Sequence, residues 1–129
     1  MKRIIVDGMN VIGSRPDGWW RDRDGAVRRL ARQLQALARN APDERIAVVF
    51  DGRPLPDLQE GVHDGILVAY ARRGGRDAAD DRIVEEVARD RDPSSLTVVT
   101  SDANLRGRVL ALGAQVEGAG SLLRRLDDL

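Results

Sequence analysis

Apolar positions fall into two kinds of run that alternate along the chain. Short runs recur at Ile4-Ile5-Val6, Ile46-Ala47-Val48-Val49-Phe50, Ile66-Leu67-Val68-Ala69-Tyr70 and Leu96-Thr97-Val98-Val99-Thr100. Rich in β-branched residues and lacking a polar face, they predict strands buried on both sides, as in parallel sheets. Between them, Val27, Leu30, Ala31, Leu34, Leu37 and Ala38 recur at three-and-four spacing up to Asn40, and Ala79, Ile83, Val84 and Val87 do so up to Arg89. That spacing predicts two helices, each with one face on a sheet, the first capped by Asp22 or Asp24 and the second by Asp77. A short helix carrying Leu105, Val109 and Leu112, a short strand from Ala114 to Glu117 and a closing helix from Ser121 to Leu126 complete the chain. Strands alternating with helices predict an α/β fold, a parallel sheet with helices on both faces.

The connections carry turn formers. Val11 to Trp20 contains Gly13, Ser14, Pro16, Asp17 and Gly18 and predicts a loop over the carboxyl edge of the sheet. Arg53 to Gly65 contains Pro54, Pro56, Gly61 and Gly65, which argues against a long helix there. Arg72-Arg73-Gly74-Gly75-Arg76 is a basic loop leaving the third strand.

Polar residues at the strand ends add chemistry to this pattern. The first strand ends in Asp7-Gly8, the second in Asp51-Gly52, and the fourth is followed by Ser101-Asp102. In a parallel sheet all these ends lie on one side, where open α/β sheets bind ligands. At about 100° per residue, Asp80 falls within the stripe of Ile83, Val84 and Val87, so it faces the core. Like charges brought together raise one another's pKa, and a hard divalent cation, Mg²⁺ or Mn²⁺, relieves the repulsion. Each acid has a plainer explanation too: Asp51-Gly52 is a common turn pair, and Asp102 or Asp77 can cap a helix. A turn explains Asp7 only in part, and the helix dipole does not explain why Asp80 points inward. Their joint placement is the stronger argument.

Composition narrows the classes. At 129 residues and 14.2 kDa the chain, 1–129, reads as a single domain with room for a continuous core. Its 42% hydrophobic and 33% charged residues argue against disorder. Absence of cysteine excludes thiolate metal sites and disulfides, and a lone His63 in a Gly-rich loop gives little support to a histidine zinc centre or a serine–histidine pair. Neither a signal region nor a membrane-length apolar run is present, so the expectation is a cytoplasmic protein without a membrane partner.

Basic and acidic residues balance at 21 each, so attraction to a polyanion has to come from their distribution. Lys2 is the only lysine, and nearly every cation is a guanidinium, the group suited to bidentate phosphate contacts. A GC-rich coding sequence accounts for that bias equally well. Arg28, Arg29, Arg32 and Arg39 lie on one helix face and read as its solvated side. Carboxylate-held metal with arginines nearby suits phosphodiester hydrolysis, with Arg72, Arg73, Arg76 and Arg106 as candidate RNA-backbone contacts. Trp19 and Trp20 are candidates for stacking on a base, one of the pair serving as a loop anchor.

Ile5-Val6-Asp7-Gly8-Met9-Asn10-Val11-Ile12-Gly13, Val49-Phe50-Asp51-Gly52, Asp77-Ala78-Ala79-Asp80-Asp81-Arg82-Ile83 and Val99-Thr100-Ser101-Asp102 together resemble the NYN domain, most closely its YacP-like branch among the PIN-like nucleases. The resemblance spans Ile4 to about Leu126, with four motifs in order. It implies a PIN-like three-layer α/β/α fold with a central parallel sheet. It also implies Mg²⁺- or Mn²⁺-dependent ribonuclease activity, endonucleolytic on single-stranded RNA, with the ribosome or another ribonucleoprotein as a further partner. By motif, Asp7, Asp80 and Asp102 would be the metal-binding acids, with Asn10 and Asp51 completing the catalytic pocket and Asp77 and Asp81 beside it. The alternative is an RNA-binding or partner-binding module that keeps the fold without turnover. A phosphorelay receiver-like domain, also doubly wound, normally needs a lysine beyond a late strand, and the only lysine here is Lys2.

Overall fold

The computed structural model describes residues 1–71 and 77–129. The four long apolar runs form β1 (Lys2–Asp7), β2 (Glu44–Asp51), β4 (Ile66–Ala71) and β5 (Leu96–Val99), joined by the short β3 (Gly61–His63) and β6 (Gln115–Glu117). Among the described residues the six strands make one sheet in the order β3-β4-β2-β1-β5-β6. All neighbours are parallel except β3, which pairs antiparallel with β4 at one edge.

Period-two alternation divides each apolar run between two cores. Ile4, Val6, Val48, Phe50, Val68 and Tyr70 face one side; helices α1 (Gly8–Gly13), α2 (Arg23–Asn40) and α5 (Ala119–Asp127) cover it with Val11, Leu30, Leu34, Leu122 and Leu126. Ile5, Val49 and Val98 face the other, beneath Ile83 and Val87 of α3 (Ala78–Arg89) and Leu105 and Val109 of α4 (Ala103–Ala111). Three layers result, and the apolar stripes of α2 and α3 face the sheet.

The structure departs from the expected elements in three places. The segment after Asp7 is not loop from Val11: Gly8 to Gly13 form α1, because Val11 and Ile12 both bury against the sheet. A helix this short shows no readable periodicity. The Pro- and Gly-rich connection contains β3, which makes the sheet mixed at its edge. Asp22 rather than Asp24 caps α2, its Oδ1 accepting from Gly25 N at 3.0 Å, whereas Asp77 occupies the cap position of α3 without a side-chain capping bond.

Tyr70 shows how the long connection is pinned. Its buried hydroxyl donates to Leu58 O at 2.6 Å, and its ring meets Phe50 at 5.8 Å between centroids. Tyr70→Phe preserves the packing but strands the Leu58 carbonyl, so it is expected to cost about 1–3 kcal/mol in urea unfolding. A midpoint equal to wild type would mean that water replaces the hydroxyl.

Candidate active site

The carboxyl edge of the sheet is built outward from Asp7. β1 is apolar on both faces as it approaches this residue, which is only 4% exposed. Burial pushes its carboxyl from 3.8 up to about 6; the Thr100 hydroxyl opposes that shift, while the charges of Asp80, Asp51 and Asp102 add to it. Thr100, fully buried just past β5, donates from Oγ1 to Asp7 Oδ2 at 2.8 Å and accepts from Asp102 N at 3.1 Å. One hydroxyl therefore joins two of the acids, a donor to one and an acceptor for the backbone of the other. Asp7 Oδ1 accepts no hydrogen bond from the described residues and is not sealed from solvent.

Three further elements bring their acids to the same edge. Asp80, half-buried in the first turn of α3, is raised from 3.8 to about 6 by burial first, then by Asp102 and Asp77, with Arg108 opposing and Asp51 adding. Asp51 at the end of β2 is raised by burial and drawn back by Arg23, whose Nη2 donates to the Asp51 carbonyl at 2.9 Å. Asp102 caps α4, Oδ1 accepting from Leu105 N at 2.9 Å, so its capping role and its place beside the other acids coexist. Asn10, on α1, accepts from Ser101 N at 2.8 Å and thereby ties α1 to the turn that carries Asp102.

Asp7, Asp51, Asp80, Asp102 and Asn10 thus converge, in keeping with their positions at strand ends and helix starts. Asp77 lies close enough to raise Asp80, while Asp81 is exposed and pairs with Arg108 at 3.0 Å. Among the arginines, Arg72, Arg73 and Arg76 lie outside the described residues, and Arg106 is exposed without an ion pair among those described. Arg108, Arg23 and Thr100 also belong to this edge, and no sequence pattern singles them out. Arg108 follows Arg106 by two positions on the same helix, so spacing alone does not choose between them. Thr100 looks like no more than the last residue of an apolar run. His63 lies in β3, bonded to the Gln59 carbonyl, and takes no part.

The donor set is all oxygen, the chemistry of a hard divalent ion. Among the described residues no three acidic or histidine side chains are grouped so as to ligate one ion directly. What the residues fit is the looser mode in which one or two carboxylates and several waters hold Mg²⁺. Asp7, with one oxygen fixed by Thr100 and the other open, is the best-prepared carboxylate for it.

A three-layer fold whose central sheet collects acids from several elements at its carboxyl edge is the arrangement that the PIN-like resemblance implies. The chain belongs to the YacP-like NYN domain family, whose model matches residues 4–129. It is similar in fold to the crystal structure of Rae1 (YacP) from Bacillus subtilis, at 24% identity and a TM-score of 0.77, over 99% of this chain and 75% of that one. A mutant of the same Bacillus subtilis protein gives 23% identity and a TM-score of 0.78, over 99% of this chain and 76% of that one. No curated protein matches the chain. Among the described residues no helix is long and apolar enough to cross a membrane.

Proposed function

We propose that this chain is a divalent-metal-dependent endoribonuclease acting on single-stranded RNA in the cytoplasm, with Asp7, Asp80 and Asp102 holding Mg²⁺ or Mn²⁺, in part through water. The observation that carries the reading is the burial and mutual repulsion of acids drawn from β1, β2, α3 and the cap of α4, which hold Asp7 and Asp80 near a pKa of about 6. A fold gains nothing in stability from burying like charges side by side. When bound, the ion would activate water and offset charge on the phosphate. Thr100 fixes the orientation of Asp7, Asn10 ties the first helix to the turn bearing Asp102, and Arg108 and Arg23 supply positive charge beside the acids. RNA is the expected partner, with a ribonucleoprotein such as the ribosome as the further one.

One observation favours a second reading, an RNA-binding or partner-binding module without turnover: no three acids among the described residues are grouped as direct ligands. Incubating the purified protein with end-labelled single-stranded RNA in Mg²⁺, Mn²⁺ or chelator separates the two. Metal-dependent cleavage establishes the nuclease. RNA binding with neither cleavage nor Mn²⁺ binding supports the module, whereas Mn²⁺ binding without cleavage points to a requirement for the ribonucleoprotein partner.

Thr100→Val tests the support beneath the site. The exchange keeps the shape but removes the bond to Asp7 and leaves Asp102 N without its partner. Mn²⁺ affinity is expected to fall about 10- to 100-fold, the usual effect of removing a ligand's hydrogen-bond partner. Thr100→Ser, which keeps the hydroxyl, should recover most of it. Equal affinity in Thr100→Val and wild type would remove Thr100 from the site.

A further inference from the structure

The excursion from β1 to α2 leaves the acidic edge and returns to it. It departs at Asp7 through α1 and re-enters at Arg23, whose guanidinium bonds the Asp51 carbonyl at 2.9 Å. On the return lies a 3-10 turn, Trp19–Arg21, entered through Gly18 at φ +71°, a left-handed conformation that favours glycine. The two tryptophans in it are used differently. Trp19 is partly buried and packs against the core beneath α2. Trp20 stands out at 62% exposure, braced edge-on by Trp19 at 6.2 Å between ring centroids. Arg21 lies over the Trp20 ring at 6.0 Å from its centroid and makes no ion pair among the described residues.

The exposed indole of Trp20 takes no part in either core. Trp19 and the short turn hold it in place. The cation beside it has no acidic partner among the described residues. Its segment leads back to the acidic edge: Arg23, three positions after Trp20, bonds the Asp51 carbonyl, and the Cα atoms of Trp20 and Arg23 lie within about 11 Å of each other. An aromatic face beside such a cation, on a segment tied to a phosphodiester site, has the chemistry of a stacking platform for single-stranded nucleic acid.

We infer that Trp20 and Arg21 form a nucleobase-stacking subsite that positions single-stranded RNA on the acidic edge, Trp20 taking the face of an unpaired base and Arg21 the neighbouring phosphate. The inference rests on the RNA reading of the fold. Stacking is tolerant of base identity, so the subsite selects unpaired strand over duplex and not one sequence over another. It adds a specificity-determining pair that lies outside the acid cluster.

The test is binding of a short fluorescein-labelled single-stranded oligoribonucleotide, followed by anisotropy in chelator so that no cleavage intervenes. Trp20→Ala is expected to weaken binding about 5- to 150-fold, the range for loss of one base–aromatic stack, and Trp20→Phe to retain most of the affinity. A second oligonucleotide, with one base replaced by an abasic ribose at successive positions, identifies the stacked base. At that position the abasic strand should bind wild type more weakly yet bind Trp20→Ala no worse than the intact strand does, because both changes remove the same contact. Circular dichroism and melting temperature are expected to be unchanged, since Trp20 is outside the core. Intact RNA binding with equal affinity in wild type and Trp20→Ala overturns the subsite and leaves the nuclease reading standing. Absence of RNA binding by wild type itself overturns both.

Discussion

Asp7→Asn is expected to abolish metal-dependent RNA cleavage and, in chelator, to make the protein more stable than wild type. Both effects follow from one buried carboxyl. In the folded protein it titrates at about 6 against 3.8 unfolded, mainly because burial disfavours its charge. A raised carboxyl contributes stability below its unfolded pKa, and that contribution is lost as pH rises through about 6. Above that range the ionised group costs on the order of 3 kcal/mol, since each pH unit between the folded and unfolded pKa is worth about 1.36 kcal/mol. Asparagine keeps an oxygen for the Thr100 hydroxyl and carries no charge, so it removes the cost. Melting curves in chelator should then show wild type losing stability from about pH 4 to about pH 7, with a shallower loss in Asp7→Asn that retains the part due to Asp80. At pH 8 the variant is expected to melt roughly 10 °C higher.

Cleavage should move the opposite way. Loss of one preorganised electrostatic contact at a reacting centre typically costs about 10²- to 10³-fold in rate, which sets the least loss expected of Asp7→Asn. A more stable protein that no longer cleaves would show that the acids are kept for function at the expense of the fold. Cleavage by Asp7→Asn at the wild-type rate in saturating Mg²⁺ would remove Asp7 from the active site. A melting temperature unchanged at pH 8 would mean that the charge of Asp7 is solvated after all.

Gly8→Ala is expected to produce the largest structural loss. A methyl group at this position would sit 2.6 Å from Phe50 Cδ1 and 2.9 Å from the Val49 carbonyl oxygen. Phe50 is fully buried and packed on Tyr70, and Val49 O belongs to the backbone of β2, so neither can yield easily. Overpacking of this kind costs about 1–3 kcal/mol and sometimes more. Relief requires α1 to move away from the sheet, and α1 carries Asn10, whose bond to Ser101 ties it to the acidic edge. Gly8→Ala should therefore lower the melting temperature by about 5–15 °C and also reduce cleavage at temperatures where it is still folded. Gly13→Ala, in the same helix with nothing within 4 Å of the added methyl, is the control and should be neutral or slightly stabilising. Equal stability of Gly8→Ala and wild type would show that β2 and α1 have slack at their closest approach.

The sequence alone determined the alternation of strands and helices, the two-sided burial of the sheet and the identity of the acids at its edge. Those features are local: a run of β-branched residues, a three-and-four stripe or an Asp-Gly pair is legible within a few positions, and parallel topology then carries the strand ends to one side. Asp80 is readable for the same reason, since its place in the apolar stripe of α3 depends only on helical periodicity. The resemblance in the four motifs added the family, which the match over residues 4–129 shows.

Only the tertiary structure decided what holds the acids and what surrounds them. Thr100 meets Asp7 across 93 positions and Asn10 meets Ser101 across 91, contacts that no local pattern encodes. Whether Trp19 or Trp20 faces water, and whether Arg106 or Arg108 approaches Asp80, turned on the packing of elements distant in sequence. The short helix α1 and the edge strand β3 leave no local signature because each is stabilised by what it packs or pairs against rather than by its own composition. Hydrophobic period records which face of an element is buried; hydrogen bonds and charge pairs between elements depend on how those faces meet in space.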